Sequence, residues 1–94
     1  MTEAVTDVVK HTLLTPVTYG EVTITELTFR EAEVGDFMAA DHVKGEFSGN
    51  VAVLASISDT PLPAFKKIKA KDFSIILAKT KGLLGNDGKN TTGG

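Results

Sequence analysis

The residues best equipped for chemistry are few and badly spaced for it. His11 and His42 are the only histidines, and there is no cysteine, so a thiol nucleophile and a Cys-based zinc or iron–sulfur site are both excluded. A carboxylate–imidazole metal site would have to draw on Asp36, Asp41 and His42. Asp41 and His42 are adjacent and diverge by about 100° on a helix; Asp36 lies six residues from His42, again poorly aligned. Both histidines therefore read as surface residues. The serines at Ser48, Ser56, Ser58 and Ser74 lack the Gly-x-Ser-x-Gly setting of a nucleophile elbow. The stretch Gly45-Glu46-Phe47-Ser48-Gly49 has neither the lysine nor the preceding buried strand of a phosphate-cradling loop. Gly82, Gly85 and Gly88 close an apolar stripe instead of opening a helix, so their amides cannot be aimed at an anion. The expectation is a chain with no catalytic residue, no metal and no cofactor, and hence not an enzyme.

The other chemistry-bearing feature is a basic run, Lys66-Lys67-Ile68-Lys69-Ala70-Lys71, followed by Lys79 and Lys81. Such a patch can neutralise phosphates. No Arg, Asn or Gln stands beside it to read base edges, and the net charge is −2. Every Phe falls on an apolar stripe, which reads as core and not as a stacking platform. Nucleic-acid binding is thus an alternative and not the leading reading. The charge is polarised along the chain. Residues 1–60 carry ten acids against three bases, and residues 61–94 carry seven bases against two acids; this polarity favours head-to-tail contacts between copies.

These groups must be positioned by a small set of elements. Val9, Leu13, Leu14 and Val17, then Val22 to Phe29, are rich in β-branched and apolar residues, with Tyr19-Gly20 between them as a turn signal. Gly20 can take the positive φ of a tight hairpin, and Pro16 makes the first strand an edge or breaks it. In the second strand Val22 and Ile24 share one parity, Leu27 and Phe29 the other, so either both faces are covered or a bulge near Thr25-Glu26 brings both pairs onto one face; in so short a chain the bulge, or a sharp twist, is expected. After Arg30 the period becomes helical. Val34, Phe37, Met38 and Asp41 or His42 form a first helix stopped at Gly45, with acids crowding its start. A second helix carries Phe47, Val51, Leu54 and Ile57, its first turn weakened by Gly49 and Asn50. Pro63 opens a short third helix with Phe65 and Ile68. The last helix, Ala70 to Leu84, carries Phe73, Ile76, Leu77, Thr80, Leu83 and Leu84 on one stripe.

The predicted fold is α+β: an N-terminal β-hairpin followed by three or four short α-helices in a single small domain. Its parts are a flexible N-terminus (1–8), a folded unit (9–84, with the hairpin at 9–30 and helices at 33–84) and a disordered polar tail (85–94). With 94 residues, 41% of them hydrophobic and 23% charged, the chain is globular in composition but close to the size at which one core supplies only a few kcal/mol. No apolar run approaches the ~20 residues of a membrane span. The acidic start Met1-Thr2-Glu3-Ala4-Val5-Thr6-Asp7 does not read as a secretory signal, so a cytoplasmic location is expected. Apolar stripes on four short elements exceed what so small a globule can sequester, which points to self-association or to clasping an apolar helical client.

The run Leu14-Thr15-Pro16-Val17-Thr18-Tyr19-Gly20, the strand Val22 to Phe29 ending at Arg30-Glu31, the step Gly35-Asp36, and Ile68-Lys69-Ala70-Lys71-Asp72-Phe73 leading into the last helix together resemble the tail assembly chaperones of long-tailed bacteriophages, nearest the Mu-like, contractile-tail branch. The resemblance covers about residues 12 to 84. It implies a protein of the infected bacterium's cytoplasm that binds and solubilises the tape measure protein, helps recruit tail-tube subunits, and is absent from the mature virion. It also adds a frameshift-extended version of the chain as a further partner. On this reading Phe37, Met38, Phe73, Ile76, Leu77, Leu83 and Leu84 form the partner-binding groove, while Arg30, Asp36 and Gly20 are structural, with Arg30 and Asp36 locking hairpin to helix as an ion pair or a cap. A minor structural component of the tail is the remaining alternative.

Overall fold

The computed structural model describes residues 8–84, an antiparallel hairpin followed by four helices in one small α+β domain. The segments 1–8 and 85–94, expected to be loose, lie outside the described residues, apart from Val8, which opens the first strand opposite Arg30. Strand β1 spans Val8–Tyr19 and β2 spans Val22–Arg30. At the connection Gly20 takes a φ of 64°, as the first central residue of a II′ hairpin turn requires.

The phase problem in β2 is solved by its partner strand. The ladder runs regularly as far as Thr12 opposite Glu26 and resumes at Val17 opposite Ile24. Four residues of β1, Leu13 to Pro16, therefore face the single Thr25. The irregularity stands where the parity of β2 demands it, but the extra residues are in β1. Its effect is to put Val9, His11, Leu13 and Val17 on the same inner face as Ile24, Leu27 and Phe29. Pro16 has no amide to offer a ladder and occupies the stretch where none is needed.

Helix α1 spans Val34–Phe37 and runs into a 3₁₀ segment, Met38–His42; α2 spans Glu46–Ile57, α3 Leu62–Phe65, and α4 Ala70–Thr80, prolonged by a 3₁₀ turn at Lys81–Leu84. The single first helix expected from the spacing of Val34, Phe37 and Met38 is thus split between two windings. Gly45, at φ 98°, serves as the N-cap of α2 and not as a helix stop.

Helix α2 is the centre of the helical half. Ala52, Val53, Leu54, Ala55 and Ile57 are all buried, so its second half is enclosed on nearly every side. Gly49 is also buried, and a Cβ there would stand 3.1 Å from the Ala40 Cβ. Its value is close packing of the 3₁₀ segment on α2, which outweighs its poor helix propensity. Beneath the hairpin, Phe29 and Phe65 meet edge to face at 6.4 Å, joined by Leu54, Ile57 and Ile76. The last turn returns to the strand–helix junction, where the Ala32 amide donates to the Leu83 carbonyl at 2.9 Å. Among the described residues no helix is long and apolar enough to cross a membrane.

Candidate functional site

Two buried carboxylates fix the frame. Asp72 stands in the first turn of α4, where the helix dipole favours negative charge, and it is fully buried. It reaches across to the hairpin. Oδ1 accepts from the Leu14 amide at 2.8 Å and from His11 Nε2 at 2.9 Å; Oδ2 accepts from the Leu14 and Thr15 amides, both at 3.1 Å. Leu14 and Thr15 lie in the stretch released from the ladder, so the carboxylate takes the place of the missing strand partner. Lys79 Nζ donates to the Lys10 carbonyl at 3.3 Å and lies 3.4 Å from His11 Nδ1; an imidazole protonated on Nε2 satisfies both contacts. Burial pushes the Asp72 carboxyl up, but the Leu14 amide, His11 and the Thr15 amide together outweigh it and hold it below the usual carboxylate range. His11 is therefore a buried tether, 4% exposed, and not the surface residue its sequence context suggests.

The second carboxylate joins the end of β2 to α1 and α2. Arg30 Nη1 and Nη2 donate to the two oxygens of Asp36 at 2.8 and 2.9 Å, the Ser56 hydroxyl donates at 2.6 Å, and the Glu33 amide donates at 2.7 Å. Asp36 is at once an ion-pair partner and part of a capping box at the start of α1. The Arg30 hydrogen bond, against the opposing effect of burial, holds its carboxyl well below the ordinary range, and the Ser56 and Glu33 donors add to this. The same contact raises Arg30. Both carboxylates have their oxygens engaged within the fold, and among the described residues no three His, Asp or Glu side chains gather as metal ligands. What this frame can do is hold surfaces in place.

The surface it holds is an apolar furrow along α2, α3 and α4. From the core a series of rings leads outward: Phe65 meets Phe73 at 6.4 Å, and Phe73 meets Phe47 at 5.6 Å, both edge to face. Phe29 and Phe65 are buried, Phe73 is half-buried, and Phe47 is 66% exposed. Two hollows of about 220 and 280 Å³ flank the Phe47 ring, sharing Val51 and Lys66 in their walls. A third hollow, farther along α4, lies between Asn50 of α2 and Leu77 and Leu84. Lys66, Lys67, Lys69 and Lys71 are all exposed, and no acid occurs from Thr60 to Lys71. The hollows thus have apolar floors, with the lysine cluster at one end and Lys81 beside the third hollow.

The expected groove residues divide. Phe73, Leu77 and Leu84 line the furrow. Ile76 and Leu83 do not: they are 0% and 4% exposed and belong to the core, on the same inward column as Asp72 and Thr80. The broad stripe on α4 is two adjacent columns, one turned in and one turned out, a difference of one residue in phase. Phe37 and Met38 are exposed, at 46% and 59%, but neither lines the hollows beside Phe47 or the one beside Leu77. Phe47 and Val51 were hidden by their spacing with Leu54 and Ile57, which reads as one core face. The signal against that reading is local: Glu46, Ser48 and Asn50 surround Phe47, as on a helix end that stands clear of the core.

A family model described as "Phage tail assembly chaperone proteins, E, or 41 or 14" matches residues 10–85. No curated protein and no solved structure matches the chain.

Proposed function

Because this chain belongs to the phage tail assembly chaperone family, we propose that it holds apolar helical stretches of the tape measure protein in solution and brings tail-tube subunits to them. It does so in the cytoplasm of the infected host and leaves before the virion is finished. The work is binding, and no bond is made or broken. One observation carries this reading: Phe47, two-thirds exposed, is stacked through Phe73 and Phe65 onto the core, so that the floor of the furrow is rigid and apolar while its surface is open. A helix with an apolar stripe fits such a furrow. From Phe73 to Leu84 the outward column of α4 with its closing turn spans about 16 Å, or three helical turns. The lysines at its end favour a client helix with acidic residues beside its stripe.

Covering the open part of Phe47 would contribute about 2 kcal/mol, or about 30-fold in affinity. Co-expression with a tape measure fragment tests the reading. The native chain should raise the soluble yield of the fragment and co-purify with it, Phe47→Ala should weaken capture about 30-fold, and Phe47→Asp or Leu77→Asp should abolish it while the far-ultraviolet circular dichroism stays native. Undiminished capture by Phe47→Asp would remove the furrow from the mechanism.

A further inference from the structure

The two strands of the hairpin differ in how their outer edges are treated. In a two-stranded sheet each strand has one edge without a strand partner, and proteins blunt such edges with prolines, bulges, lysines or a covering helix. β1 has all of these: Pro16, the irregularity between Thr12 and Val17, Lys10, and α4 packed against it. Asp72 takes the Leu14 and Thr15 amides of that strand, and Lys79 takes its Lys10 carbonyl. β2 has none of them. Val22–Arg30 contains no proline, glycine or lysine, and the residues extra to the ladder all belong to β1. Among the described residues, no backbone group of this strand forms a backbone hydrogen bond outside the hairpin. Val22, Thr23, Ile24, Thr25 and Thr28 are β-branched, the composition that suits further pairing.

A hollow of about 510 Å³ follows this edge. Its lining takes Glu26, Leu27 and Thr28 in succession, together with Val22, Ile24 and Arg30, and no residue of β1. A hollow over one face of the hairpin would instead be lined by alternate residues of both strands. The opposite wall is the connection between α2 and α3, from Ile57 to Pro61, and it is braced. The Ser58 hydroxyl donates to the Leu54 carbonyl at 2.9 Å, the Thr60 hydroxyl to the Ser58 carbonyl at 3.1 Å, and the Thr60 amide to the Ala55 carbonyl at 3.0 Å. The hollow is acidic. Glu26 and Asp59 are exposed at it, and the one base in its lining, Arg30, is engaged by both oxygens of Asp36. A second copy is a poor occupant: full-length antiparallel pairing of two β2 strands sets Glu26, their middle residue, against its own counterpart, and like charges directly opposite are destabilising. A helix is a poor occupant too, because its backbone groups are already used within it. We propose that β2 accepts a third strand from another protein, an extended segment of β-branched residues with a lysine or arginine opposite Glu26. Main-chain hydrogen bonds along the edge hold it, and it covers Val22, which is 59% exposed. The site shares no lining residue with the hollows beside Phe47 and Leu77, so an extended partner and a helical client have separate places on the chain.

Two short capped peptides of alternating valine and threonine, one with lysine at its centre and one with glutamate, test this by nuclear magnetic resonance on the isotope-labelled native chain. The lysine peptide should shift amide signals between Val22 and Arg30 and slow amide exchange in that strand, leaving Phe47 and Leu77 unmoved. It should bind about fivefold tighter than the glutamate peptide, the scale of one cross-strand charge pair, and Glu26→Lys, at an exposed site, should reverse that order. Thr25→Pro should weaken both peptides at least about tenfold, because a proline interrupts an added strand. Thr25 has no partner in the β1 ladder, so the hairpin should survive, as circular dichroism checks; if that variant does not fold, the reversal by Glu26→Lys decides. No shift in β2 at about 1 mM lysine peptide, the weak end of specific association, overturns the proposal, as does a peptide preference unchanged in Glu26→Lys or a response confined to Phe47 and Leu77. Protection of the β2 amides that rises with the concentration of the chain alone would put a second copy on the edge, and overturns it as well.

Discussion

Replacing Asp72 tests whether the hairpin is held by a carboxylate or by packing. In Asp72→Ala the amides of Leu14 and Thr15 and the His11 ring all lose their acceptor. Hydrogen bonds to a charged group contribute about 1.5–3 kcal/mol each, which at the lower end gives about 4–5 kcal/mol for three donors. Leu14 and Thr15 are exposed residues whose amides water can reach in part, so about 3 kcal/mol is expected. For a domain of this size, with a total of about 5–14 kcal/mol, that is a large share. Asp72→Asn keeps the shape but turns an NH₂ toward one of the donors, and should cost about 2 kcal/mol. Urea unfolding followed by circular dichroism gives the change, and amide exchange locates it: Leu14 and Thr15 should be protected in the native chain and exchange freely in Asp72→Ala. A loss below about 1 kcal/mol, or unchanged protection at those two amides, would show that packing alone sets the strand and that the carboxylate is incidental.

Two further perturbations probe the frame. The carboxyls of Asp36 and Asp72 both titrate below the ordinary range when folded, so the stability they supply is complete above about pH 4, the unfolded value, and is lost as pH falls through the lower folded values. Unfolding midpoints should therefore drop in acid, and Asp36→Asn should flatten that limb while lowering stability at neutral pH by about 2 kcal/mol; the Arg30 share is modest because that side chain is more than a third exposed. A slope unchanged by Asp36→Asn would exclude the pair as its source. At the helix crossing, Gly49→Val should destabilise by about 1–3 kcal/mol through collision with Ala40, and Ala40→Gly should recover at least about 0.5 kcal/mol of that loss in a double-mutant cycle; additivity would place the cost in helix propensity alone.

Much of the frame was legible in the chain because it is set by local rules. Gly20 in a two-residue turn, helical spacing after Arg30, and Arg30 six residues from Asp36 all depend on neighbours close in sequence. The parity break in β2 even gave the position of the irregularity, although not which strand carries the extra residues, because parity within one strand says nothing of its partner. The Asp72 contacts were not legible for a related reason. They join residues 57 to 61 positions apart, and an aspartate in a first helical turn is explained by the dipole before any tertiary contact is considered. The furrow was half legible. Phe73, Leu77 and Leu84 follow from amphipathicity, but separating them from Ile76 and Leu83 needs the direction in which α4 meets the core, which periodicity alone leaves free by a residue.

The same contacts explain how so short a chain can leave large apolar side chains open. A hairpin of two strands needs a covering on its inner face, and packing alone would draw Phe47, Phe73, Phe37 and Met38 toward it. Here the registration of hairpin against helices is fixed at two points by buried carboxylates instead, Asp72 at the bulge and Asp36 at the end of β2. The directional bonds hold α4 and α1 in one orientation each, in which Leu77 of α4 is turned out and Phe37 and Met38 are left exposed. Substitution of Leu77, the exposed member of the outward column, should then change binding and leave stability within about 1 kcal/mol, whereas loss of either carboxylate should reduce stability and binding together. Measured side by side, Leu77→Asp and Asp72→Ala separate the two roles: a Leu77→Asp chain as unstable as Asp72→Ala would mean that the outward column belongs to the core after all.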